Sequence, residues 1–103
     1  MIKAITERKQ ELYNLCRTFN VKRLDIFGSA LSEKTFDQNR SDIDFLVEFE
    51  QMDAVRHAKS YFGFLQELQD IFSCHIDLIE IKAVKNPYFL DSINRSRSQI
   101  YAA

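Results

Sequence analysis

Asp42-Ile43-Asp44-Phe45-Leu46-Val47-Glu48-Phe49 decides how this chain is read. Ile43, Phe45, Val47 and Phe49 fall on one side of an extended strand, and Asp42, Asp44, Leu46 and Glu48 on the other, the period-two pattern of a β-strand. Asp42 and Asp44 stand at i and i+2, so both carboxylates leave the same face. Like charges held that close repel, which costs stability unless cations sit between them, and Mg²⁺ favours hard carboxylate oxygens together with substrate phosphates. Two solvated acids on an edge strand are the bland alternative. The apolar neighbours Ile43, Phe45 and Val47 weigh against it, because such a strand belongs inside a sheet.

Working outward, Ile5, Leu12, Leu15, Cys16 and Phe19 recur at helical spacing and predict an amphipathic helix ending near Asn20. Arg23-Leu24-Asp25-Ile26-Phe27 predicts a strand that stops at Gly28, followed by a short helix over 30–34 and a polar loop over 35–40. Val55, Ala58, Phe62, Leu65, Leu68 and Phe72 mark a second amphipathic helix; Gly63 within it suggests close helix packing. Residues 75–81 predict a third strand, with Asp77 on the side of Ile79 and opposite to Ile76 and Leu78. Asn86-Pro87 has the form of an N-cap and first helical residue, opening a terminal helix with Phe89, Ile93 and Ile100 on its buried face. This order implies an α/β (α+β) fold, a small mixed sheet with helices packed on it.

The 103 residues, 46% of them hydrophobic, suffice for one domain with one core, and residues 1–103 are read as that single domain. Two glycines and one proline leave no linker, and no internal repeat is detectable. A net charge of -1 provides no broad basic field, which disfavours nucleic acid as a partner and makes any nucleotide site local. Cys16 and Cys74 lie far apart in apolar surroundings, as suits a reduced protein, and argue against a zinc site. No apolar run nears the roughly 20 residues of a membrane span, so the expectation is a cytoplasmic protein that needs no membrane.

Gly28-Ser29 follows a strand and precedes a turn of helix, so its backbone N–H groups could face a phosphate with no side chain in the way, and the Ser29 hydroxyl adds a donor. A lone Gly-Ser pair at a strand end is usually an ordinary turn; its weight comes from the acids that follow. Asp77 is a third carboxylate in an apolar strand, where an unpaired acid is costly. A salt bridge to a lysine such as Lys82 is the bland alternative. If its strand lies beside that of Asp42, three carboxylates converge beyond Gly28, enough charge for two divalent cations. His57 and His75 read as surface or strand-edge residues, Arg95 and Arg97 as a solvated helix end, and Tyr61 and Tyr88 as half-buried.

Phe27-Gly28-Ser29-Ala30, then 41–47, then Ile76-Asp77-Leu78, resemble the DNA polymerase beta nucleotidyltransferase superfamily and, more narrowly, the minimal nucleotidyltransferase family. Asn86-Pro87-Tyr88-Phe89, continuing through Ile93 to Ile100-Tyr101, resembles that family's C-terminal helix, so the likeness spans nearly the whole chain. The resemblance implies that Gly28 and Ser29 bind the triphosphate, that Asp42 and Asp44 ligate Mg²⁺ (or Mn²⁺), and that Asp77 is a third ligand that helps activate an acceptor hydroxyl. It also implies AMP transfer from ATP, and a partner of the HEPN family with this chain as the antitoxin of a toxin–antitoxin pair. Two departures stand out. Leu31 and Ser32 occupy the region where many relatives carry an arginine, leaving Lys34 or Arg40 as substitutes, and the gap from Ser29 to Asp42 is slightly long. A non-catalytic antitoxin that binds its partner by contact alone is the alternative function.

Overall fold

The structure is a computed structural model that describes residues 1–37 and 42–103. Helices α1 (Lys3–Thr6) and α2 (Lys9–Thr18) lead into strand β1 (Val21–Phe27), and a 3-10 turn (Gly28–Leu31) follows. Strand β2 (Ile43–Phe49), helix α3 (Ala54–Phe72), strand β3 (Ile76–Glu80), helix α4 (Pro87–Ser96) and strand β4 (Ser98–Ala102) complete the chain. The sheet order is β3-β2-β1-β4; β1 runs antiparallel to β2 and β4, while β2 and β3 are parallel. The fold is therefore the expected mixed sheet with helices packed on it.

The alternation of β2 distributes its side chains as the sequence predicts. Ile43, Phe45, Val47 and Phe49 join the main core with Leu12 and Cys16 of α2 and with Phe64 and Leu68 of α3. Leu46 points the other way and packs with Phe27 and Ile93 in a smaller cluster beneath α4. Side chains such as Phe45, Phe64, Leu12 and Leu68 are fully buried, each contributing about 1.5–3 kcal/mol through removal of apolar surface from water. Helix α3 begins at Asp53, whose carboxylate accepts from the Arg56 backbone N–H, and ends at Ser73 in a left-handed conformation. A Cβ on Gly63 would lie 2.5 Å from the Phe19 ring, so the glycine does mark close packing, of the middle of α3 against the end of α2. Tyr61 of α3 donates to the Leu78 carbonyl at 2.5 Å, capping part of the exposed edge of β3.

Three local expectations are corrected. The N-terminal helix is broken at Arg8, which leaves helical geometry at φ -115° and ψ 19°, and its end at Asn20 is left-handed. Strand β1 starts at Val21, two residues earlier than predicted, with a register irregularity between Val21 and Arg23 that lets Val21 and Leu24 both reach the main core. The terminal helix does not continue to Ile100. Arg97 turns extended, and Ser98–Ala102 pairs along β1 as an edge strand. Ile93 and Ile100 are seven apart, which fits two helical turns, but they lie in different clusters on opposite faces of the sheet.

Candidate functional site

The pairing of β1, β2 and β3 gathers the predicted residues at one end of the sheet. Phe27 stands opposite Asp44, and Asp44 stands beside Asp77 in the parallel register. Gly28 follows directly with φ +75°, a conformation open to glycine. A Cβ at Gly28 would lie 2.5 Å from Asp44 Oδ2, so a side chain there would be both strained and obstructed by the acid. The turn itself is braced from outside. The Ile2 amide donates to the Ala30 carbonyl at 2.9 Å, the N-terminal ammonium donates to the Leu31 carbonyl, and the Thr35 hydroxyl donates to the Ser29 carbonyl at 2.7 Å. Gly28 is exposed and Ser29 half-buried, so the turn faces outward beside the acids.

Asp44 is pushed up to about 6 from an ordinary 3.8, chiefly by burial, then by its hydrogen bond to Asp77 and the negative charges of Asp77 and Asp42. Among the described residues, His75 acts in the opposite direction. One ligand atom from each of Asp42, His75 and Asp77 lies within 4.8 Å of the others, and His75 Nε2 is 3.0 Å from Asp77 Oδ1. These groups fit a divalent cation: two carboxylates and the His75 imidazole converge, Asp44 stands next to Asp77 outside that set, and no lysine or arginine is ion-paired to Asp44 or Asp77 among the described residues. The mutual repulsion that raises Asp44 is what a cation relieves.

The sequence reading missed His75, yet the signal was the one used for Asp42 and Asp44, since His75 and Asp77 also stand at i and i+2. Thr35 was missed too, and a threonine in a polar loop carries no distinguishing signal. Lys82 does not pair with Asp77; it reaches Glu48 at 3.5 Å. His57 hydrogen-bonds Glu80 beyond the other end of the sheet. Lys34 is exposed, whereas Arg40 lies outside the described residues. Arg97 is not a solvated helix end: it donates to Asp25, which is fully buried on β1 and also receives Arg23 at 3.0 Å. Tyr88 is exposed rather than half-buried.

A cleft of about 670 Å³ lies elsewhere, lined by Lys22, Glu48, Phe49, His57, Glu80 and Lys82 at the opposite end of β2 and β3. The acidic end carries the stronger chemical claim, because a cleft is only volume, whereas Gly28, Asp42, Asp44 and Asp77 combine an open backbone turn with concentrated charge. No helix among the described residues is long and apolar enough to cross a membrane.

The family model described as "Nucleotidyltransferase domain" matches residues 7–100. Two proteins of Methanocaldococcus jannaschii, each named "Putative protein adenylyltransferase", are 37% and 36% identical, covering 89% and 73% of this chain and 87% and 72% of their own lengths. Among solved structures, a "putative minimal nucleotidyltransferase" superposes with a TM-score of 0.74 at 19% identity over 93% of this chain and 92% of its own. A chain from a toxin–antitoxin crystallised with AMP-PNP gives 0.67 at 16% identity, over 92% and 73%. One from the complex of tri-AMPylated Shewanella oneidensis HEPN toxin with MNT antitoxin gives 0.64 at 15% identity, over 95% and 72%. At such identities the solved structures speak for the fold, while the family match and the two relatives settle membership: this chain belongs to the nucleotidyltransferase domain family.

Proposed function

We propose that this chain is a metal-dependent nucleotidyltransferase that moves AMP from ATP to a hydroxyl of a protein partner, as the antitoxin of a HEPN toxin–antitoxin pair. The observation that carries this reading is the closeness of Gly28 to Asp44, which sets a phosphate-accepting turn against the acids. The two M. jannaschii relatives, by name protein adenylyltransferases, support the protein acceptor, and the toxin–antitoxin complexes among the similar folds support the partner. The protein has no broad basic surface charge for nucleic acid, with a net charge of -1.

Asp42, Asp44 and Asp77 would hold Mg²⁺ or Mn²⁺, which when bound neutralises charge on the acids and the phosphates. Gly28 and Ser29 present their backbone N–H groups to the triphosphate, and the Ser29 hydroxyl donates to a phosphate oxygen. The acceptor oxygen bonds to the α-phosphorus as the bridge to pyrophosphate breaks. The acceptor proton passes to the Asp77 carboxylate, and pyrophosphate leaves past Gly28-Ser29. Holding these groups in place contributes to rate through orientation.

The test incubates the protein with ATP, Mg²⁺ and its HEPN partner, then reads the partner's intact mass. A gain of one or more AMP units, abolished by Asp42→Asn and by Asp77→Asn, is the expected result. An unchanged mass, with the toxin still neutralised by both variants, would instead establish the contact-only antitoxin. Val55 and Phe62, each 66% exposed on α3, give that second reading a surface to use.

A further inference from the structure

Resting on the nucleotidyltransferase reading above, we propose that Phe89, with Tyr88 beside it, is the stacking platform for the base of the bound nucleotide. Both residues belong to the first turn of α4, where the Asn86 side chain accepts from the backbone N–H groups of Tyr88 and Phe89. That cap fixes the turn without using either aromatic ring. Helix α4 packs against the Gly28–Leu31 turn, and the Phe89 ring meets Phe27 edge to face at 6.3 Å with the planes at 69°. Phe27 is bonded to Gly28 and registers with Asp44, so Phe89 lies one side chain away from the cradle and the acids.

Exposure points the same way. Phe89 is 41% exposed and Tyr88 85% exposed, whereas Ile93, one turn further along α4, is buried in the cluster that anchors the helix. An aromatic ring anchored against Phe27 that still keeps 41% of its surface open is suited to stack a base, since every nucleobase presents a π-face. In a nucleoside triphosphate a single ribose separates the base from the α-phosphate. A base therefore has to land close to the residues that grip the phosphates, and among the described residues the exposed large apolar side chains are Val55, Phe62, Tyr88 and Phe89. Val55 and Phe62 sit on α3, which covers the opposite face of the sheet. Only the α4 pair adjoins the Gly28 turn.

The experiment compares ATP with inorganic tripolyphosphate, each titrated calorimetrically with Mn²⁺ into the parent, Phe89→Ala, Phe89→Leu, Tyr88→Ala and Phe62→Ala. The leucine variant keeps apolar volume against Phe27 while removing the ring, so it stands in if the alanine variant does not fold. Stacking predicts that loss of the Phe89 ring weakens ATP at least about fivefold and leaves tripolyphosphate unchanged, with a smaller ATP loss in Tyr88→Ala and none in Phe62→Ala. Equal affinity for ATP in parent and Phe89→Leu overturns the platform while leaving the triphosphate site in place, and so does equal weakening of both ligands. A parent that binds neither ligand overturns the nucleotidyltransferase reading along with it.

Discussion

Asp25 and Asp44 lie on neighbouring strands and face the same side of the sheet, yet their surroundings differ in sign. Asp25 is fully buried and receives two guanidinium groups, Arg23 from its own strand and Arg97 from the end of α4. Asp44 is partly buried beside the acids Asp77 and Asp42, whose charges outweigh the opposing influence of His75. One carboxylate is satisfied by the fold; the other is left in conflict. Such an uncompensated cluster costs stability, so its presence points to something outside the chain that completes it.

The largest test of this contrast is Arg97→Ala. It leaves Asp25 buried with Arg23 alone, and losing one of its two charged hydrogen bonds should cost about 1.5–3 kcal/mol in denaturant unfolding. Asp44→Asn should leave stability unchanged or raise it in the absence of divalent metal, because it removes one of the mutually repelling charges. A large loss in Asp44→Asn would place Asp44 beside Asp25 as a structural acid.

Gly28→Ala comes next. An alanine forced to φ +75° costs roughly 1–2 kcal/mol, and its Cβ would displace Asp44 Oδ2. Combining it with Asp44→Ala should restore part of that loss by removing the obstruction, which double-mutant unfolding measures. Strictly additive effects would mean that the turn and the acid do not share space in solution.

A pH series sharpens the comparison further. The folded-state Asp44 is raised from 3.8 to about 6, so the fold favours its protonated form. Its contribution to stability is then fully present below pH about 4 and is lost as pH rises through 6. The stability of Asp44→Asn relative to the parent should therefore grow across that window, read as the difference between their Tm values at each pH. Adding Mg²⁺ above pH 6 should raise the parent Tm and shrink the gap. A gap that stays constant from pH 4 to 7 would remove the electrostatic conflict from the account.

The smallest effect belongs to Arg95→Ala. Among the described residues Arg95 pairs with Asp91, four residues back on the exposed side of α4, and the change should stay within about 0.5 kcal/mol. The sequence offers no ground for separating Arg95 from Arg97, as both read as basic residues closing a helix. Their difference comes from the partner of Arg97, which lies 72 residues away along the chain.

Much of the sheet was legible because period-two alternation is local. Ile43 to Phe49 sorted onto two faces as read, and Asp77 took the side of Ile79. Asn86-Pro87 opened a helix as its cap chemistry demands. Strand β4 was not legible, since Ile93 and Ile100 satisfy a helical spacing and only pairing with β1 reveals the second of them as a strand residue. His75 was legible and was passed over, because a histidine lacks a carboxylate's conspicuous cost in an apolar strand.

By itself the sequence determined which residues could do chemistry and the face of each strand they would occupy, because side-chain type and backbone period are properties of short segments. Tertiary structure alone decided that Asp44 would register with Asp77 and press against Gly28, and that Arg97 would return to Asp25. Those are contacts between distant segments, set by how the strands align and where the helices cross the sheet. No local pattern encodes a register between strands separated by a helix; it emerges when both faces of the sheet are buried at once.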